Sequence, residues 1–391
     1  MRDPILSPEA SNALRKEEPV TAVRHASLPD PFRMTRGGEL RRAQVAYECW
    51  GELNKDRSNA ILLFTGLSPP AHAASSPENP DDGWWEKMIG PGRAIDTDRF
   101  FVMCVNSLGS CFGSTGPASI NPATGKAYRL DFPELAIEDI ARAGYEAARS
   151  LGIERLDTVM GCSLGGMVVV AFAAVIPEGA RRLVSISGSA ASSPFAIALR
   201  SVQREAVMSD PAWLRGNYAD NERGPQSGMR IARKLGTITY RSADEWRGRF
   251  ARSGLTPVGK QSVSRALQRV PEGFGPRFAV ETYLESQAEK FVRVFDPNCY
   301  LYLSRAMDCF DIAEHGDPAK ALSRSGLSSA LVIGVESDFL FAIEEQAGIA
   351  AHLTAAGVPT TFARLPSIEG HDAFLVDLPR FDAAIRGFLN A

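Results

Sequence analysis

The sequence has no CxxC pair. Its six cysteines (Cys49, Cys104, Cys111, Cys162, Cys299 and Cys309) are scattered, which argues against a zinc cluster or a thioredoxin-type site and leaves reduced thiols as the expectation. It also lacks any run of about 18 apolar residues, so no membrane span is expected. Met1 to Arg24 is rich in Pro, Glu and Arg and lacks the apolar stretch of a secretory signal, from which a cytoplasmic location is expected. Acids and bases are interspersed and sum to a formal charge of −3, so no basic field is present to hold nucleic acid or an anionic membrane. No internal repeat or low-complexity tract occurs. The glycine-rich run from Gly109 to Pro117 lacks the Gly-Lys-Ser/Thr spacing of a phosphate loop and reads as a loop at the edge of a site.

What is present is a 391-residue chain with 45% hydrophobic residues, enough for one large core or for a core carrying an insertion. Ala60 to Phe64 is continuously apolar, as a buried strand is, and Arg41–Trp50 and Phe100–Val105 also have strand character. Further on, strands at Leu156–Met160 and Leu183–Ser187 alternate with helical patterns at Leu135–Leu151 and Met167–Val175. That alternation predicts an α/β fold with a mostly parallel central sheet covered by helices on both faces. After Ser189 it breaks, and the chain reads as helical and Arg-rich until Ser323. Strands return at Ala330–Val335 and Thr360–Leu365, and Phe381–Leu389 closes the chain as a helix. The expected organisation is an N-terminal arm (1–30), an α/β core (31–193 and 324–391) and an inserted helical lid (194–323).

Gly161-Cys162-Ser163-Leu164-Gly165 places G-x-S-x-G between a predicted strand and a predicted helix, the context in which this motif presents a nucleophilic serine on a sharp turn. The amides after Ser163 then face the developing oxyanion, so Leu164 N–H is the first expected donor, and Leu67 N–H, in Thr65-Gly66-Leu67-Ser68-Pro69, the second. Serine needs a base, and the base needs a carboxylate to fix its tautomer. The chain has five histidines, and only His315, His352 and His371 follow Ser163. His371 lies in a polar turn after the last strand, whereas His352 reads as helical packing and His315 as a solvated lid residue. Asp338 follows the strand at Leu331–Val335 and is the expected carboxylate, with Glu336 as rival. His72, near the loop of Leu67, is expected to have a supporting role.

With Gly83-Trp84-Trp85, Ile89-Gly90-Pro91-Gly92, Ile120-Asn121-Pro122-Ala123-Thr124-Gly125 and Gly370-His371-Asp372-Ala373-Phe374, the chain resembles the homoserine O-acetyltransferase family of the α/β-hydrolase superfamily from about Pro31 to its end. Thr65-Gly66-Leu67-Ser68-Pro69 and Asn106-Ser107-Leu108-Gly109-Ser110-Cys111 make it most similar to the serine O-succinyltransferase branch, while Cys162 and Phe112 depart from the familiar pattern. The resemblance implies an acyl-CoA co-substrate (succinyl-CoA or acetyl-CoA), no permanently bound cofactor and no metal. It implies amino-acid and acyl-CoA substrates, a homodimer, and an acyl-Ser163 intermediate formed in ping-pong fashion. It also implies that Arg204 grips the acceptor carboxylate and Asp372 its ammonium. L-Serine and succinyl-CoA are the expected pair. Homoserine O-acetyl- or O-succinyltransfer stays open, since one methylene is worth only about 1–3 kcal/mol of discrimination. Carboxylic ester hydrolysis on the same fold stays open as well.

Overall fold

In the computed structural model, which describes residues 22–218, 224–255, 271 and 273–391, the apolar run Ala60–Phe64 is a strand buried at every position. Its side chains alternate between two layers. Leu62 and Phe64 pack with Ile140, Val168 and Phe172, whereas Ile61 and Leu63 pack with Trp85, Phe381 and Ile385. A strand that is apolar on both faces needs helices on both sides, and this is what excludes an exposed sheet here.

Among the described residues the main sheet has eight strands: β1 (Arg24–Ser27), β2 (Gln44–Trp50), β3 (Ala60–Phe64), β4 (Phe101–Val105), β5 (Leu156–Cys162), β6 (Ala180–Ile186), β7 (Ser329–Val335) and β8 (Thr360–Leu365). They lie in the order β1-β2-β4-β3-β5-β6-β7-β8. β2 runs antiparallel to β1 and β4, and the other pairs are parallel. Helices α1 (Ile137–Ser150) and α2 (Leu164–Val175) supply one layer of the core.

The expected arm extends less far than residue 30. Arg24–Ser27 is an edge strand in register with Gln44–Tyr47, with Ala26 and Leu28 buried, so the sheet begins before Pro31. Four residues carrying Arg, His and Ser outward are too few and too polar for periodicity to reveal a strand. Residues 1–21 of that arm lie outside the described residues.

Between β6 and β7 the described residues form helices: α3 (Pro194–Met208), α4 (Gln226–Thr239), α5 (Ala243–Phe250), α6 (Ala279–Val292), α7 (Pro297–Cys309) and α8 (Pro318–Leu322). Several starts are written in the sequence as a capping side chain followed by proline: Ser193 accepts from Ala196 N–H before Pro194, and Asp296 from Cys299 N–H before Pro297. Part of the expected lid, residues 219–223, 256–270 and 272, lies outside the described residues. The chain closes with α9 (Ile343–Ala355), α10 (Ala373–Val376) and α11 (Leu378–Asn390), the last packing Phe381, Ile385 and Leu389 into the second layer. His315 is not solvated as expected: its Nε2 lies 2.8 Å from Oε1 of the buried Glu138 on α1, clasping the helical insertion to the core. No helix among the described residues is long and apolar enough to cross a membrane.

Candidate active site

β5 ends at Cys162 and α2 begins at Leu164, so a single residue makes the turn between them. That residue, Ser163, has φ 57° and ψ −115°, a conformation an L-residue adopts only when its surroundings enforce it. The enforcement is close packing. A Cβ on Gly165 would stand 2.3 Å from the Phe64 carbonyl oxygen, so only glycine lets α2 start against the end of β3.

His371 comes from the turn between β8 and α10, and Asp338 follows β7. The His371 ring joins them in a line: Nδ1 lies 2.7 Å from Asp338 Oδ2 and Nε2 2.8 Å from Ser163 Oγ. Asp338 Oδ1 accepts the Leu340 and Phe341 amides at 3.0 and 2.9 Å, which fixes the carboxylate and directs Oδ2 to the imidazole. The ring is stacked on Phe341 at 5.0 Å, with Phe374 at 6.1 Å and Tyr240 at 6.0 Å. Burial pulls the His371 proton affinity down, and the Asp338 charge and hydrogen bond, with Asp372 beyond, more than offset it, leaving the pKa raised. Such a base is neutral above its titration point and becomes a stabilised imidazolium once it has taken a proton. Glu336, the rival carboxylate, is instead exposed and paired with Arg364 at 2.8 Å.

Leu164 is the first residue of α2, so its amide has no intrahelical partner. Gly66 passes close to Ser163, its Cβ direction meeting Ser163 Cβ at 3.9 Å, and Leu67 follows it. Neither the Leu67 nor the Leu164 amide is taken up by a backbone carbonyl among the described residues. Asp372 is buried beside His371, its N–H donating to the Tyr240 carbonyl at 3.0 Å and its Oδ2 3.4 Å from Arg241 Nε.

Arg204 is buried on α3, but its guanidinium is engaged: Nη2 lies 2.6 Å from Asp308 Oδ2 and Nη1 donates to Ser304 Oγ at 2.9 Å. Asp308 also takes Arg200 Nε at 2.5 Å, so two guanidiniums share one carboxylate. The residue that sequence reasoning missed is Arg233 on α4. It is 6% exposed, stacks on Phe291 at 4.7 Å and stands 5.6 Å from the Tyr240 ring. Its Nε is buried without a hydrogen-bond partner among the described residues. Spacing on an amphipathic helix cannot distinguish such an arginine from a solvated one; burial against Phe291 does. A separate cleft of about 560 Å³, lined by Arg24, Trp50, Glu86, Arg93 and their neighbours, lies at the opposite end of the strands from Ser163.

A serine on a strained strand-to-helix turn, joined by histidine to an aspartate from the end of a later strand, defines the α/β-hydrolase class. Comparison with known proteins agrees. Residues 59–377 match the model of the alpha/beta hydrolase fold family. The serine O-succinyltransferase of Stenotrophomonas maltophilia (strain K279a) is 57% identical over 371 residues, covering 94% of this chain and 98% of that protein. Among solved structures, homoserine O-acetyltransferase from Bacillus anthracis aligns with TM-score 0.83 at 27% identity, over 94% of this chain and 98% of that one. Esterase E22 aligns with TM-score 0.81 at 28% identity, over 94% and 99%. The chain belongs to the alpha/beta hydrolase fold family and, within it, to the family of the serine O-succinyltransferases.

Proposed function

We propose that this chain transfers a succinyl group from succinyl-CoA to the hydroxyl of L-serine, with Ser163 as nucleophile, His371 as general base and Asp338 as the carboxylate that orients it. One observation carries the reading: an assembled Asp338, His371 and Ser163 line in a chain that matches a serine O-succinyltransferase along nearly its whole length. His371 Nε2 takes the Ser163 proton as Oγ attacks the thioester carbon. The Leu67 and Leu164 amides hold the resulting oxyanion, and coenzyme A departs with the proton returned by His371. The hydroxyl of serine then gives its proton to the same nitrogen and attacks the acyl-Ser163 carbonyl, releasing O-succinyl-L-serine. The helical insertion keeps water from that intermediate; His371, 2% exposed, is already screened.

The charge balance near the site supports anionic substrates. Arg200 and Arg204 share Asp308, and Arg233 pairs with no carboxylate among the described residues, so positive charge is in excess around Tyr300, whose hydroxyl feels all three. Burial pushes the neighbouring Glu345 carboxyl up despite its hydrogen bond to Ser193, which weakens the competing negative charge. In this reading Arg233, being uncommitted, takes the acceptor carboxylate in place of Arg204, and Asp372 receives the ammonium. The reading carries with it a homodimer formed through the lid helices and a cytoplasmic location, which sedimentation and cell fractionation test.

The deciding experiment is thiol release from succinyl-CoA and from acetyl-CoA, each with L-serine, L-homoserine or no acceptor, with products identified by mass. Serine-dependent succinyl transfer is expected. Dominance of homoserine with acetyl-CoA would move the substrate assignment to the homoserine enzymes. Release that ignores the acceptor would favour a hydrolase, the reading for which the likeness to esterase E22 speaks.

A further inference from the structure

The segment that carries Leu67 has little of its own to hold it. Between the end of β3 at Phe64 and His72, no backbone–backbone hydrogen bond is made by residues 65–71 among the described residues, and the Asn106 amide reaches Pro69 O only at 3.5 Å. Leu67 packs against the core, but the firm hydrogen bonds lie at the two ends of the segment. One end is the sheet. At the other, His72 Nδ1 lies 2.8 Å from Glu48 Oε2, on β2, and Nε2 lies 3.0 Å from the Asp81 carbonyl oxygen.

The partners define the state of the ring. A carboxylate and a carbonyl are both acceptors, so they favour the ring with hydrogen on both nitrogens, and the Glu48 charge and hydrogen bond raise its pKa against the pull of burial. The Asn79 amide lies alongside at 3.1 Å. Glu48 is 1% exposed and its Oε1 has no partner among the described residues, so without His72 a buried carboxylate would stand uncompensated. The backbone around the ring is clamped too: Trp84 N–H donates to His72 O at 3.2 Å and Trp85 N–H to Ala73 O at 2.8 Å. A Cβ on Gly83 would stand 2.2 Å from the Ala73 carbonyl carbon, so the two segments touch directly.

We propose that His72 is a positioning residue: its ion pair with Glu48 and its bond to Asp81 O fix the far end of the 65–71 segment and so hold the Leu67 amide where the oxyanion forms. The proposal rests on the acyl-transfer reading above. Because a displacement of about 1 Å can cost on the order of a hundredfold in rate, the anchor acts on turnover and not on substrate affinity.

The test uses the full chain and a small boronic acid, whose tetrahedral anion on Ser163 reports on the oxyanion position. His72→Ala is expected to lower kcat by roughly 10- to 100-fold and boronate affinity by a similar factor, with KM for serine and for acyl-CoA within about threefold. His72→Gln, which can still donate to one of the two acceptors, should recover part of both. If His72→Ala fails to fold, Glu48→Gln, of nearly equal size, should show the same paired loss at smaller magnitude. His315→Ala, which breaks another buried histidine–carboxylate pair remote from this segment, should leave kcat unchanged. Unchanged kcat in the His72 and Glu48 variants, a loss of kcat without loss of boronate affinity, or an equal loss in His315→Ala would overturn the proposal. Absence of acyl transfer by the unaltered chain would overturn the acyl-transfer reading instead.

Discussion

Two histidines of this protein pair one ring nitrogen with a buried carboxylate and differ in what faces the other. In each, Nδ1 meets a buried carboxylate, Asp338 at 2.7 Å for His371 and Glu48 at 2.8 Å for His72. The second nitrogen faces the Ser163 hydroxyl in the first case and the Asp81 carbonyl in the second. A hydroxyl can give up its proton, so His371 can be neutral and accept it. A carbonyl can only accept, so the two partners of His72 favour its charged form. Both pKa values are raised, each opposed by burial and lifted by its carboxylate. The carboxylate therefore does not make a histidine a base; the atom at its other nitrogen does.

The largest expected effects lie on the His371 side. Ser163→Ala removes the group the ring was placed to activate and should lower kcat by on the order of 10⁶-fold, with labelling by a fluorophosphonate abolished. The same small change made at the two carboxylates then sharpens the comparison. Asp338→Asn should cost about 10⁴-fold in kcat, because the amide stabilises neither the needed tautomer nor the imidazolium. Glu48→Gln should cost only about tenfold, since it loosens an anchor without touching the proton path. Similar losses for the two would show that both histidines serve the chemistry directly.

The His371 side was the legible one. G-x-S-x-G, the order Ser, Asp, His, and the polar turn at His371 are local signals, and the three residues they point to lie within hydrogen-bond distance in the structure. On the His72 side a supporting role was legible from its place near Leu67, but its partner was not, because Glu48 lies 24 positions earlier and meets the ring only after β2 has paired with β4. Arg233 was hidden for the same reason: its isolation from carboxylates is a property of how α4 packs on α6 at Phe291. The alternating strands and helices were readable from periodicity, whereas β1, short and polar outward, was not.

Among the arginines, the contrast is between one with a carboxylate partner and one with none among the described residues. Arg233→Ala should raise KM for serine by about 100-fold or more, with a loss of thermal stability limited to its packing on Phe291. Arg204→Ala breaks a buried pair and should cost on the order of 2 kcal/mol of stability, read as a Tm lowered by a few degrees, with a smaller effect on KM. The reverse pattern would return the acceptor carboxylate to Arg204.

The smallest effect, and the one that separates the two histidines most directly, is the response to pH. A histidine whose folded pKa is raised contributes stability that is fully present below its ordinary value near 6.5, and this is lost as pH rises through the folded value. Both rings obey that sign, so Tm should decline as pH rises from about 6 upward, and His72→Gln should flatten the decline. Activity divides them. His371 must lose its proton to act, so kcat rises with pH, its acid limb displaced above the ordinary histidine range. His72 must keep its proton, so its titration can only lower kcat at higher pH. His72→Gln, which cannot titrate, should therefore remove the decline on the alkaline side and leave the acid limb in place. A shift of the acid limb in that variant would mean that the two rings are coupled, and the comparison between a base and an anchor would fail.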